Sequence, residues 1–254
     1  MFSARTFRAI GMSLLSINLR LLMLSIMIAL LMSGCQTLAP QQLQTLTFAP
    51  EDLEMSNPGW RRCYFKIDWP KDSEARFEID LLLAHQVFAP VLNQYGDSLY
   101  RWRFHRRAAR DPGGHQFSLL FYSGSDIAEK VIIQVAHSEI TRHLIDEGVI
   151  EASYCSSSED ETQTLISDTS DPAWPDAIQR QWPAFIMGVS MTWLGLIDEV
   201  ASPLVKQDMN VKQLIEIYSD AEQQLISMWT INGQHVFLHH LSALFGYEAL
   251  LIRY

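Results

Sequence analysis

Residues 101–122, RWRFHRRAARDPGGHQFSLLFY, decide the reading of the fold. Two strand-like runs, Leu99 to Arg107 and His115 to Tyr122, flank AARDPGG, whose Asp-Pro-Gly-Gly is strong turn chemistry. The stretch therefore predicts a β-hairpin. Side chains alternate across a strand, so Trp102 and Phe104 share one face and Arg101, Arg103, His105 and Arg107 share the other. The aromatic face is expected against helices and the basic face outside.

Upstream, RCYFKIDW (62–69) alternates as a strand does, and DSEARFEIDLLLAHQVFAPVLNQYG (72–96) carries Phe77, Leu81, Leu82, Phe88 and Leu92 at helical spacing. Asp72 or Ser73 is the expected N-cap, and Pro90 is expected to disturb the last turns. Downstream, residues 125–148 read as a second helix, with Asp126 and Glu129 at capping-box spacing and Gly148 closing it, and VIEASYC (149–155) reads as a strand. The order βαββαβ is that of an α+β ferredoxin-like sandwich, in which right-handed crossovers set the first and last strands side by side and antiparallel. The start of one then neighbours the end of the other. Those places hold Cys63 and Cys155, which predicts a disulfide; the alternative is two buried free thiols. After this 60–155 domain comes an acidic linker or loop, 156–171, and then a helical section, 172–254.

The first 34 residues carry Arg5, Arg8 and Arg20, no acid, and the apolar run LLMLSIMIALLMSG just before Cys35, the order of an export signal. LLMSGC resembles the lipobox of bacterial lipoproteins, with Met32 where that family usually has Leu. The resemblance implies signal removal after residue 34, acylation (palmitate among the chains) of Cys35, anchoring in the lipid bilayer, and, with Gln36 next, sorting to the outer membrane facing the periplasm. Residues 35–59, rich in Gln, Thr and Pro, would be a tether. Oxidising compartments of this kind favour disulfides. Losing three of 19 basic residues leaves 16 against 29 acidic ones, a net charge of −13, which argues against nucleic-acid partners.

Chemical motifs are sparse. The basic hairpin face (Arg101, Arg103, His105, Arg107, with His115) is the candidate partner-binding site, because guanidinium groups fit a partner's carboxylates. Pairing with the chain's own acidic segments is the plainer reading. An RNA platform fits poorly, since the aromatics that would stack bases point away from the arginines. His235 and His239 share a helix face next to His240, but Val236 stands where a zinc protease needs Glu and no third ligand appears, so no metal is assigned. No nucleophile elbow, phosphate-cradling glycine loop or paired-cysteine zinc spacing occurs, and no cofactor is expected.

WRFHRRAARDPGGHQFSLLF and the closing HVFLHHLSALFGYEALLI are similar to segments of the thiopeptide-type and lanthipeptide dehydratase C-terminal domain family. The resemblance covers roughly residues 60–254. It implies elimination of an activated glutamyl ester from Ser or Thr side chains, or ring-forming chemistry, on a peptide, and it maps site residues onto Arg106 or Arg107, His115 and His239. The arginines that the family has after its His are replaced here by Gln116 to Leu120. The functional expectation is a membrane-anchored, non-catalytic binding or assembly component for an envelope protein or peptide. The alternatives are a peptide-modifying lyase and a metal-binding envelope protein.

Overall fold

The computed structural model describes residues 55–70, 72–108, 112–156 and 164–249, within one compact unit spanning residues 54–254. The expected signal peptide, Cys35, most of the expected tether and the acidic residues 157–163 lie outside the described residues.

The architecture is α+β. Strands β1 (Gly59–Ile67), β2 (Arg101–Arg107), β3 (Gln116–Ser123) and β4 (Ile150–Cys155) form one sheet in the order β2-β3-β1-β4, and every neighbouring pair is antiparallel. On β1, Cys63, Phe65 and Ile67 face the core, while Arg62, Tyr64 and Lys66 face the other side. The core joins these residues to Phe104, Phe117, Leu119 and Phe121 of the hairpin and to the helices that cover that face.

Between β1 and β2 runs a helix in two parts, α1 (Phe77–Leu83) and α2 (Ala89–Tyr95), joined by a π-helical turn at Ala84–Phe88. It starts five residues later than its expected cap at Asp72: Asp72 has φ +71°, and Arg76 occupies the cap position. Pro90 sits in the first turn of α2, where its missing N–H costs little, and the π turn just before it takes up the irregularity. The second expected helix is also two, α3 (Ser125–Ala136) and α4 (Glu139–Asp146). Ser138 ends the continuity, because its hydroxyl caps the Thr141 N–H and starts a new helix. Gly148 then turns the chain into β4 with φ +69°, a conformation that suits glycine.

The helical section comprises α5 (Asp176–Ala201), α6 (Val211–Gly233), a π-helical stretch Gln234–His239 and α7 (His240–Leu244). The Asn210 side chain and Gln213 form a capping box at the start of α6. From there the last three elements follow one another without a break, since Gln234 and His240 keep helical dihedrals. Gly233 does not end the helix: the Trp229 ring lies over it, and a Cβ there would come within 2.9 Å of that ring. The section shares the core beneath the sheet through Ile197, Ala201, Leu214 and Tyr218. α5 also covers the sheet edge, where the Ser190 hydroxyl accepts the Phe104 N–H at 3.1 Å.

Cys63 and Cys155 are directly opposed in the β1–β4 register and form a disulfide, with Cα atoms 4.0 Å apart. The bond closes a loop across a sequence separation of 92. Chain-entropy reasoning gives a stabilisation of about 4–5 kcal/mol for a loop of this size. Replacing both cysteines by Ala should lower the unfolding free energy by up to that amount in a denaturant titration, and thiol counting on the unfolded, unreduced domain should find neither thiol free.

Candidate functional site

One ionic cluster lies under the helical section. Asp80 on α1 is fully buried and sits among Ile79, Leu81, Leu82 and Leu83. A carboxylate there needs partners, because removing an unpaired charge from water costs several kcal/mol (order of magnitude). It has two. His115 Nε2 is 2.9 Å from Asp80 Oδ1, and Arg106 Nε forms an ion pair with Oδ2. Burial pushes the Asp80 carboxyl up from its ordinary value, while His115 and Arg106 pull the other way.

The sheet places both partners. Arg106 follows Trp102 and Phe104 on the core-facing side of β2. His115 lies just ahead of β3, where its carbonyl accepts the Ile67 N–H at 3.0 Å. The His115 ring is fully buried and meets Phe77 and Trp69 edge-on; its Nδ1 has no hydrogen-bond partner among the described residues. His115, expected at the partner contact, is thus buried, with its Nε2 on Asp80. Arg106 is different. Its guanidinium carbon lies 4.7 Å from the Phe77 ring centre and 5.3 Å from that of Trp193, and its outer part lines a cleft of about 600 Å³. Leu225, Trp229 and Phe237 wall that cleft, with Glu222 and Asn232 as polar groups. Burial, with Glu78 second, pushes the Glu222 carboxyl up from its ordinary value.

The expected basic face is more engaged than its sequence implies. Arg101 stacks over the Tyr100 ring at 4.2 Å and donates to the Tyr100 carbonyl. Arg103 Nε donates to Thr169 Oγ1 at 3.0 Å, and burial followed by the nearby Arg62 charge lowers its pKa. His105 is half-buried and Arg107 exposed. Arg62, not singled out in the sequence, donates to Gln116 and Ser118 and stacks on Tyr64, on the same face. His235, His239 and His240 cluster with ring centres 5.3–5.7 Å apart, yet no group of three or more His, Cys, Asp or Glu among the described residues is arranged to hold a metal. His239 touches His235, His240 and Tyr247, and no contact joins it to His115.

A second cluster holds Ser202, His85 and Asp198, but not as a catalytic triad. Asp198 Oδ1 and Ser202 Oγ both address His85 Nε2, at 3.0 and 3.2 Å, whereas a triad needs the acid and the nucleophile on opposite ring nitrogens. His85 Nδ1 meets the Tyr218 hydroxyl at 2.6 Å. Gln86 donates to that same oxygen, which leaves the hydroxyl hydrogen for Nδ1 and the Nε2–H for Asp198. The chain of bonds ties the π turn to α5 and α6. These contacts are long-range in sequence, so only Asp198-x-x-x-Ser202, one helical turn, was legible beforehand.

No protein-family model, no curated protein and no solved structure matches this chain.

Two outcomes are expected. Arg106→Met should lower stability by about 3 kcal/mol, the lower end for a broken buried pair because Arg106 is partly solvated, and adding Asp80→Asn should recover most of it in a double-mutant cycle. Asp198 has its pKa lowered by hydrogen bonds from Ser202 and then His85, so its stabilising effect is present at neutral pH and lost as pH falls through the lowered folded-state value. Ser202→Ala should therefore flatten the loss of stability in acid, below the ordinary carboxylate range, when unfolding is followed against pH.

Proposed function

We propose that this chain is an envelope lipoprotein, held to the outer membrane through acylated Cys35 and facing the periplasm. In this reading its ferredoxin-like sandwich carries a helical section that docks a protein partner, without catalysis. The observation that carries the reading is the apolar outer surface of the helical section: Ile231, Leu244 and Phe245 are 73%, 85% and 71% exposed. Phe185, Val189 and Met191 of α5 are exposed as well. A helix that is apolar on several sides is normally covered, and an exposed patch of this kind marks an interaction surface.

A protein suits the surface better than a bilayer does. By length and composition α5 is apolar enough to cross a membrane. Its Ser190, Ile197 and Ala201 are buried in the domain, however, and spanning would strip them from the sheet edge and the core. The acidic balance of the chain also disfavours anionic headgroups. The basic hairpin face then serves as a secondary polar contact for partner carboxylates, since α5 occupies part of the β2 edge that a peptide strand would need.

A second reading, a peptide-modifying lyase related to the dehydratase C-terminal domain, draws on the meeting of Arg106 and His115. Its weakness is burial: of that pair only Arg106 lines the cleft, and a substrate would need the imidazole too.

A photoreactive residue at Leu244 in the membrane-anchored protein should trap one discrete envelope protein, and one at exposed Glu147 on the opposite section should not. With the probe kept at position 244, Ile231→Glu with Phe245→Glu should abolish the cross-link at unchanged thermal stability. Loss of the cross-link with Arg103→Glu and Arg107→Glu alone would move the contact to the hairpin, and no Leu244 cross-link would remove the proposal.

A further inference from the structure

The geometry points to a ligand site in the cleft above Arg106, whose wall shares Trp229 and Val236 with the exposed apolar surface, that takes an aliphatic monocarboxylate with its carboxylate on Arg106 and its chain along the apolar wall. The cleft's volume, about 600 Å³, lies within the range of small-molecule sites, and its lining has their usual make-up, apolar and aromatic with a few polar groups.

The anionic head follows from how Arg106 is held. Its Nε edge is taken by Asp80, and its guanidinium carbon lies over the Phe77 and Trp193 rings. No hydrogen bond from its terminal nitrogens is found among the described residues, and the residue lines the cleft. A guanidinium anchored on one edge presents the other as a fork that matches the two oxygens of a carboxylate. Holding it there in advance removes much of the ordering cost of binding. Glu222 lines the cleft with it but makes no ion pair with it among the described residues; burial pushes its carboxyl up from the ordinary value, and the Arg106 charge pulls the other way. A single cation next to an acidic side chain suits a monoanion and rejects a dianion. Leu225, Trp229 and Phe237 supply the surface for an alkyl chain.

The test is a set of equal-length probes, decanoate, 1-decanol and decylamine, titrated below their micelle concentrations into the purified full chain by calorimetry, with empty carrier as blank. Decanoate should bind saturably and about tenfold or more tighter than decanol, the margin of a charge-assisted bidentate pair. Glu222→Gln should tighten decanoate several-fold and leave decanol unchanged. Trp229→Asp should weaken both. Arg106→Gln, if its melting curve shows it folded, should reduce decanoate to the level of decanol; if it does not fold, the Glu222→Gln comparison decides. Equal affinity for decanoate and decanol, preference for decylamine, or no saturable binding overturns the site. None of these results bears on the Leu244 cross-link, so the two proposals fail separately.

Discussion

Burying the Asp80 carboxylate constrains much of this molecule. A charge in a run of leucines and isoleucines is tolerable only if polar partners reach it, and the two that do come from the two arms of the hairpin, Arg106 on β2 and His115 just ahead of β3. Helix α1 is thereby held to one rotation and one height above the hairpin. Phe77, three residues before Asp80, is carried with it to Arg106, and Trp193 of α5 also meets the guanidinium while packing on Phe104 and Phe117. One pairing thus orients the helix, positions the guanidinium and shapes the base of the cleft. The arrangement favours definition over net stability, since desolvating an ion pair offsets much of its attraction.

The helical section answers a different constraint. One side of α5 and the first half of α6 complete the core, and the His85, Tyr218 and Asp198 chain of hydrogen bonds fixes them to the π turn. Beyond Leu225, which still packs against the core, most of the helix is exposed, yet its residues stay apolar: Ile226, Met228, Trp229, Ile231 and Val236 are exposed. Apolar surface of this extent is expensive to leave in water. That imbalance separates a docking element from a structural one and underlies the reading as a binding component.

The sheet was largely legible in the sequence, because a period of two is strong where one face is buried. The alternation of Trp102, Phe104 and the arginines gave the strand and its sides, and the turn residues joined it to β3. Helix ends were less legible: Ser138 as a cap inside an apparently continuous pattern, and the late start at Phe77, reflect local competition that apolar spacing does not record. The site was half-legible. Arg106 and His115 stood in a stretch already singled out, but Asp80 looked like one polar residue of an amphipathic helix. A lone acid flanked by Ile79 and Leu81 to Leu83 was the available signal, since it falls where a helix this apolar has no wet face.

By itself the sequence determined the α+β class, the order of strands and helices, and the two cysteines as partners, because alternation, turn chemistry and connection rules act locally or through topology. Only the tertiary structure decided which charges are buried, that His115 ends on Asp80, that Arg106 opens on a cleft, and that the last helices stand apolar and uncovered. Burial and ion pairing join residues far apart in the chain, as Asp80 and His115 are across 35 positions, and neither is set until the elements have packed.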